Sequence, residues 1–90
     1  MNRLLVIDDD PAWRALYRLA FEGRFELFEA TDAQEALAQI DAVSPDVILL
    51  DLGLPDLHGT DVARALRGGA HTARISVVAL SALADVGDQD

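Results

Sequence analysis

The sequence VILLDLGLPDLHG, residues 47–59, constrains the fold of this chain more than any other stretch. Its first four residues are apolar and β-prone, and the run stops at a single carboxylate, Asp51. Strands that are buried on both faces of a parallel sheet end in this way. Turn residues follow at Gly53, Pro55 and Gly59, so we expect Asp51 at the carboxyl edge of the sheet, where open α/β folds bind ligands. Asp also caps turns, and on this stretch alone that simpler role is equally open.

Short apolar runs and helical patterns alternate along the chain. Strands are predicted at residues 4–7, 25–30, 47–50 and 75–80, and helices at residues 11–22, 33–43 and 59–67. Asp10 before Pro11, and Asp32 three residues before Glu35, are helix-start signals, because Asp is a favoured N-cap and Pro a favoured first helical residue. The strict alternation predicts βαβ units in one parallel sheet with right-handed crossovers.

The first predicted helix has an apolar face. Its members are Trp13, Leu16, Tyr17, Ala20 and Phe21, which recur with the spacing of one side of a helix. This spacing predicts that the face is buried against the sheet. We therefore expect Trp13 and Tyr17 to be core residues, without a role in binding a cofactor or a nucleotide.

Length and composition limit the kind of protein. Ninety residues suit a single domain, residues 1–90, and the absence of cysteine excludes disulfides. Sixteen acidic residues against seven basic ones give a net charge of -9, which disfavours direct binding to nucleic acid. No apolar run approaches the roughly 18 residues of a membrane span, and the N-terminus begins with a strand-like segment instead of a signal peptide. We expect a soluble, cytoplasmic protein that does not bind a membrane.

Carboxylates end two of the predicted strands. Asp8 and Asp9 follow the first strand and Asp51 ends the third, so all three meet at one sheet edge if these strands are neighbours. Two unit charges about 4 Å apart repel by roughly 4 kcal/mol at an effective dielectric constant near 20, so such a cluster requires a proton or a cation. Mg²⁺ is favoured because it accepts one or two carboxylates and shares its shell with phosphate oxygens. The alternative, that residues 8–10 only complement a helix dipole, suits Asp10 but leaves Asp51 unexplained.

Three motifs together resemble the receiver domain of two-component response regulators. They are VIDDDP at residues 6–11, LLDLGLPDLHG at residues 49–59 and VALSA at residues 78–82, and they extend over nearly the whole chain. The resemblance implies a flavodoxin-like, doubly wound parallel α/β sheet, with the strand order 2-1-3-4 for the four strands present. It also implies that an aspartate accepts a phosphoryl group from a histidine kinase or a phosphotransfer domain, with Mg²⁺ as cofactor.

The resemblance assigns roles to five residues. Asp51 matches the phosphoacceptor, Asp9 the direct Mg²⁺ ligand, and Asp8 its water-mediated partner. Gly53 matches the residue whose backbone carbonyl also binds the metal. Ser81 matches the hydroxyl that hydrogen-bonds the phosphoryl group when the domain switches. Since the family catalyses its own phosphorylation and dephosphorylation, we expect this protein not to be an enzyme that turns over another substrate.

The chain departs from the family at His58 and beyond Ser81. The family usually has an acidic or amide residue at the position of His58. It also has a fifth strand that ends in Lys-Pro and a fifth helix, whereas this sequence has no lysine and matches the family only as far as Ala82. These differences predict a receiver that is truncated before its fifth strand and helix. A sheet edge should then be exposed, and we expect a homodimer through residues 75–80 and the first helix.

Two other functions stay open at this point. A receiver without the lysine could be a binding module that does not depend on phosphorylation. Alternatively, the Asp-x-Asp pattern of Asp8 and Asp10 is similar to that of haloacid-dehalogenase phosphatases, in which Asp8 would be the nucleophile and Asp10 the acid/base. Pro11 and the absence of lysine depart from that pattern, which also leaves the motif around Asp51 unexplained.

Overall fold

The polypeptide folds into alternating strands and helices. The computed structural model describes residues 2–51, 59–69 and 74–80. In chain order the elements in these ranges are β1 (Arg3–Ile7), α1 (Pro11–Phe21), β2 (Glu26–Ala30), α2 (Ala33–Val43), β3 (Val47–Asp51), α3 (Gly59–Gly68) and β4 (Ser76–Leu80). The predicted strand boundaries agree with these to within one residue. Among the described helices, none has the length and hydropathy that crossing a bilayer requires.

The described strands form one parallel sheet in the order β2-β1-β3-β4. β1 lies between β2 and β3, with Ile7 opposite Ala30 on one side and opposite Leu50 on the other. β4 pairs with β3 and lies at the edge of the described sheet. This is the strand order predicted from the sequence. It places the carboxyl ends of β1 and β3 side by side, as a ligand site at that edge requires.

The hydrophobic core lies between the sheet and the helices α2 and α3. Its buried members are Leu5, Ile7, Ala30, Ala33, Ala36, Ile40, Ile48, Leu50, Val62 and Leu66. They alternate along β1 and β3, because successive side chains of a strand point to opposite faces of the sheet. The buried residues of α2 are Ala33, Ala36, Ile40 and Val43, whereas the apolar Leu37 is exposed. This side of the sheet is therefore covered.

The other face of the sheet is covered less completely, by α1. No residue of α1 is buried, although the sequence predicts a buried face. Trp13 is 43% exposed and Leu16 is 53% exposed, while Tyr17, Val47 and Leu49 are half-buried. The expectation that Trp13 and Tyr17 are core residues is therefore wrong, and β3 is not fully buried on both faces. A helical period shows that a helix has an apolar side, but it does not show whether a second element covers that side.

Local hydrogen bonds fix the ends of α1 and α2. Asp10 is the N-cap of α1 and its side chain accepts a hydrogen bond from the first turn, as predicted. Gly23, with φ of 81°, adopts the left-handed conformation that favours glycine and lets the chain turn from α1 towards β2. At α2, the side chain of Asp32 accepts a hydrogen bond of 2.8 Å from the Glu35 N–H. The Glu35 carboxylate accepts hydrogen bonds from the N–H and the hydroxyl of Thr31, one residue earlier than in the predicted capping box.

The unequal burial of two leucines predicts unequal effects on stability. Leu5 is fully buried in the core, whereas Leu19 on α1 is 74% exposed. We expect Leu5→Ala to lower the free energy of unfolding by about 2–5 kcal/mol because it leaves a cavity, and Leu19→Ala to change it by less than about 0.5 kcal/mol. Urea unfolding followed by circular dichroism measures both. An equally large loss for Leu19→Ala would show that this side of α1 is covered in solution.

Candidate metal centre

Three carboxylates meet at the carboxyl edge of the sheet. Asp8 and Asp9 directly follow β1, and Asp51 is the last residue of β3. Each residue offers one oxygen atom, and these oxygens all lie within 4.8 Å of one another. The pairing of Ile7 with Leu50 causes this convergence, because it brings the two strand ends into register. The structure therefore brings together the three aspartates that the sequence predicts as metal ligands.

Asp8 is the most enclosed of these carboxylates, at 7% exposed. Its N–H donates to the Ala30 carbonyl at 3.0 Å, and its Oδ1 accepts a hydrogen bond from the Asp10 N–H at 2.9 Å. Burial raises the pKa of Asp8 above its ordinary value, although the Asp10 N–H opposes this, and the negative charges of Asp51 and Asp9 raise the pKa further. The fully ionised cluster is therefore unfavourable unless a cation compensates it.

The donor set fits a hard divalent cation. The three side chains offer oxygen ligands, which Mg²⁺ prefers, and Mg²⁺ commonly binds one or two carboxylates while it keeps several waters. Asp9 is exposed and Asp51 is half-buried, so solvent reaches the cluster and can complete a coordination shell. Asp8, Asp9 and Asp51 are the described residues that would hold the ion. Its remaining positions suit water or the oxygens of a phosphate group.

The fourth aspartate of this region has a different role. Asp10 caps α1 through its side chain, and its N–H donates to the carboxylate of Asp8. This geometry favours the capping role that the sequence offers as an alternative for Asp10. Gly53 and Ser81 lie outside the described residues, so their roles stay predictions, and His58 lies outside them as well.

The guanidinium of Arg14, for which the sequence predicts no role, contacts the backbone of the acidic cluster. Arg14 Nη1 donates to the Asp8 carbonyl at 2.8 Å, and Arg14 Nε donates to Glu29 Oε1 at 3.1 Å. Glu29 also accepts two hydrogen bonds from Arg18, of 2.8 and 2.9 Å. The hydrogen bond from Arg18 is the main reason why the pKa of Glu29 is lowered. The available sequence signal was the spacing of two arginines by one helical turn, which places both on one side of α1.

Tyr17 lies close enough to the acidic cluster for the cluster's charges to affect the pKa of its hydroxyl. Burial raises the pKa of the Tyr17 hydroxyl, and the charges of Asp8 and Asp51 raise it further. Its ring stacks on that of Trp13, with the ring centroids 6.0 Å apart. The aromatic pair that the sequence places in the core is therefore half-exposed beside the acidic site. Trp13 fluorescence is consequently a suitable reporter of cation binding.

Comparison with known proteins identifies one family that matches most of this chain. The family of the response regulator receiver domain matches residues 4–89. The DNA-binding response regulator MtrA of Mycolicibacterium smegmatis is 36% identical over 88 residues, which are 97% of this chain and 37% of that protein. The KDP operon transcriptional regulatory protein KdpE of Escherichia coli is 37% identical over 90 residues, which are 99% of this chain and 39% of that protein. The chain thus spans less than two fifths of the length of either relative.

Solved structures confirm the fold. The crystal structure of a sensor protein from Polaromonas sp. has a TM-score of 0.87 and 33% identity, and the match covers 99% of this chain and 72% of that chain. The N-terminal domain of a response regulator receiver protein from Methanoculleus marisnigri has a TM-score of 0.85 and 26% identity, and the match covers 91% of this chain and 68% of that chain. The flavodoxin-like arrangement predicted from the sequence is therefore confirmed.

The raised pKa of Asp8 predicts how this residue affects stability. In the metal-free protein, ionised Asp8 costs stability above its raised pKa, and this cost disappears as the pH falls towards the ordinary value of 3.8. We expect Asp8→Asn without Mg²⁺ to raise the free energy of unfolding at neutral pH by on the order of 1 kcal/mol, because it removes charge repulsion. The gain should shrink as the pH falls towards 3.8. Urea unfolding at several pH values in EDTA measures this.

Addition of Mg²⁺ provides the control for this prediction. Mg²⁺ should stabilise the wild type more than Asp8→Asn, because a ligand that binds only the folded state stabilises it more when its affinity is higher. A loss of stability in metal-free Asp8→Asn at neutral pH would contradict the account of charge repulsion.

Proposed function

Because this chain belongs to the response regulator receiver domain family, we propose that it accepts a phosphoryl group on Asp51 with the help of Mg²⁺. The observation that carries the proposal is the convergence of Asp8, Asp9 and Asp51, whose oxygens lie within 4.8 Å of one another. Asp51 is the half-buried member at the end of β3, so a donor can approach it. The donor in this proposal is the phosphohistidine of a histidine kinase or of a phosphotransfer domain.

The proposed transfer exchanges one bond to phosphorus for another. A carboxylate oxygen of Asp51 attacks the phosphorus atom and forms an O–P bond, while the P–N bond to the donor histidine breaks. The electron pair of that bond stays on the imidazole nitrogen. The chemistry that Mg²⁺ supplies when bound is neutralisation of charge on the nucleophile and on the phosphoryl oxygens. Asp8, Asp9 and Asp51 would hold the ion.

Two further residues belong to the proposed site. In this proposal the Gly53 backbone carbonyl is a further metal ligand beside the three carboxylates. The Ser81 hydroxyl donates a hydrogen bond to the phosphoryl group, and this contact converts a local charge into a switch. Ser81 directly follows β4, which pairs with β3, and this position in the chain supports its role. The 90 residues contain no lysine, so the charge-assisted contact that a family lysine makes to the phosphoryl group has no donor among them.

The proposed setting of the domain rests on its charge and its family. The domain acts in the cytoplasm and binds neither nucleic acid directly nor a membrane, since a net charge of -9 repels phosphate groups. MtrA is named as a DNA-binding protein, but this chain spans only 37% of its length. The DNA binding is therefore not attributed to this chain. The domain catalyses the formation and loss of its own aspartyl phosphate, so it is not an enzyme that turns over a separate substrate.

A binding module that works without phosphorylation is the second candidate function. The observation that favours it is the absence of lysine from the sequence, which removes one stabilising contact to the phosphoryl group. A phosphatase of the haloacid-dehalogenase type, with Asp8 as nucleophile and Asp10 as acid/base, is less favoured. The side chain of Asp10 is engaged as the N-cap of α1, and that mechanism gives Asp51 no role.

The proposed partner for the exposed side of α1 and β4 is a second copy of this chain. β4 lies at the edge of the described sheet, and its Val78 is 45% exposed. Trp13 and Leu16 add exposed apolar surface on α1. Strand edges and apolar patches are typical interaction surfaces, and a two-fold axis is the commonest symmetry for identical chains. Two β4 strands paired across such an axis would extend the sheet through both copies.

A small phosphodonor tests the phosphoacceptor. We expect acetyl phosphate or phosphoramidate with Mg²⁺ to add one phosphoryl group to the wild type, visible by intact-mass analysis, and none to Asp51→Asn. Asp10→Asn makes the same chemical change beside the site and should still be labelled. An adduct that persists in Asp51→Asn would refute the assignment. If the wild type forms no adduct, the binding module is favoured instead, and steady phosphate release from a phosphomonoester would favour the phosphatase.

Sedimentation at low and high ionic strength tests the homodimer. We expect the dimer to strengthen with salt, because salt screens the repulsion between two chains of net charge -9. Val78→Glu should dissociate it. Leu37→Glu is the matched control, since Leu37 is an exposed apolar residue on α2, on the other side of the sheet, and the dimer should persist in this variant. A wild-type monomer at both ionic strengths would contradict the proposal.

A further inference from the structure

Arg14 links α1 to the backbone of the acidic site. Its side chain is 16% exposed, which is low for an arginine on a surface helix. One arm of the guanidinium donates to the Asp8 carbonyl at 2.8 Å, and the Nε donates to Glu29 at 3.1 Å. A single planar group therefore holds the end of β1 and the strand β2 at the same time. The short ammonium of a lysine lacks the fork that such a double contact needs.

The Asp8 carbonyl is the point at which Arg14 acts on the acidic cluster. This carbonyl and the Asp9 N–H belong to one planar peptide unit, so the orientation of the unit affects both carboxylates. The paired part of β1 ends at Ile7. Beyond it, the Asp8 N–H donates to the Ala30 carbonyl at 3.0 Å, and Arg14 binds the carbonyl of the same residue. Arg14 thus contacts the peptide unit that joins Asp8 to Asp9, the two metal-ligand candidates that follow β1.

Glu29 orients the guanidinium of Arg14 and also binds Arg18. Glu29 lies between the two arginines and accepts hydrogen bonds from both, with Arg18 making two of them. Val6 of β1 pairs with Glu29 in the sheet, so the carboxylate is fixed on a strand adjacent to the site. The arrangement is a connected series from Arg18 through Glu29 and Arg14 to the Asp8 carbonyl.

We propose that Arg14 is a positioning residue for Mg²⁺ binding, because its guanidinium fixes the peptide between Asp8 and Asp9. The inference rests on the metal site of the proposed function. A role through charge alone has the opposite sign, since a positive charge beside a cation site weakens cation binding and its removal strengthens it. The direction of the change in Mg²⁺ affinity therefore separates positioning from charge.

Mg²⁺ titration of the whole chain, without a phosphodonor and followed by amide NMR shifts, provides the test. Arg14→Gln and Arg18→Gln each remove one positive charge and a contact to Glu29, and Arg14→Gln also removes the bond to the Asp8 carbonyl. We expect Arg14→Gln to weaken Mg²⁺ binding about tenfold, as loss of an outer partner of a metal ligand commonly does. Arg18→Gln should change the affinity by less than about twofold, because its charge is exposed and screened.

The carbonyl ¹³C resonance of Asp8 in the metal-free protein is a second measurement. It should move upfield in Arg14→Gln, because the carbonyl loses a hydrogen-bond donor, and stay in place in Arg18→Gln. Mg²⁺ affinity in Arg14→Gln that equals or exceeds that of the wild type would overturn the inference. Equal weakening in Arg18→Gln would also overturn it.

Arg14→Lys carries the test if circular dichroism shows that Arg14→Gln is unfolded. It keeps the charge but lacks the fork, so we expect roughly threefold weaker Mg²⁺ binding, and an unchanged affinity would overturn the inference.

Failure of the proposed function is distinguishable from failure of this inference. If the wild type binds no Mg²⁺, the metal site and this inference fail together. If the wild type binds Mg²⁺ and Arg14→Gln binds it equally well, the inference alone fails.

Discussion

The parallel pairing of β1 with β3 is the interaction on which the rest of the structure depends. It aligns Leu5 with Ile48 and Ile7 with Leu50, and all four side chains are fully buried. Full burial of such side chains contributes roughly 1.5–3 kcal/mol each, whereas two partly solvated charges 4 Å apart repel by roughly 4 kcal/mol at an effective dielectric constant near 20. Burial of these apolar side chains opposes the repulsion among Asp8, Asp9 and Asp51, which the fold holds together at the strand ends.

The unfavourable charge cluster is also what suits the candidate site to a cation. Burial and the neighbouring carboxylates raise the pKa of Asp8, so the metal-free cluster is a site whose energy falls when a cation binds. A cation in turn allows phosphate oxygens to approach carboxylates that would otherwise repel them. The backbone around the cluster is held by hydrogen bonds from Arg14 and to Ala30. The buried core stabilises the fold, and the candidate metal site lies at the edge of the sheet.

The two faces of the sheet are unequal, and the site belongs to the less covered one. The α2 and α3 side contains the buried cluster of apolar residues. On the α1 side, Glu29 contacts Arg14 and Arg18, and Tyr17 senses the charges of Asp8 and Asp51. The exposed Trp13 and Val78 belong to the same side. The candidate cation site, the aromatic pair and the proposed interface with a second copy of the chain therefore lie on the same side of the sheet.

The sequence by itself determined the element order, the parallel sheet and the three converging aspartates. These depend on local signals, such as the apolar run that ends at Asp51 and the Asp10-Pro11 helix start, and the family motifs supplied the strand order. Only the tertiary structure decided that α1 has no buried residue and that Arg14 reaches the Asp8 carbonyl. The physical reason is that periodicity and capping act between residues close in the chain. Burial and long side-chain contacts instead depend on which distant elements pack together, and that is settled only when the whole sheet has formed.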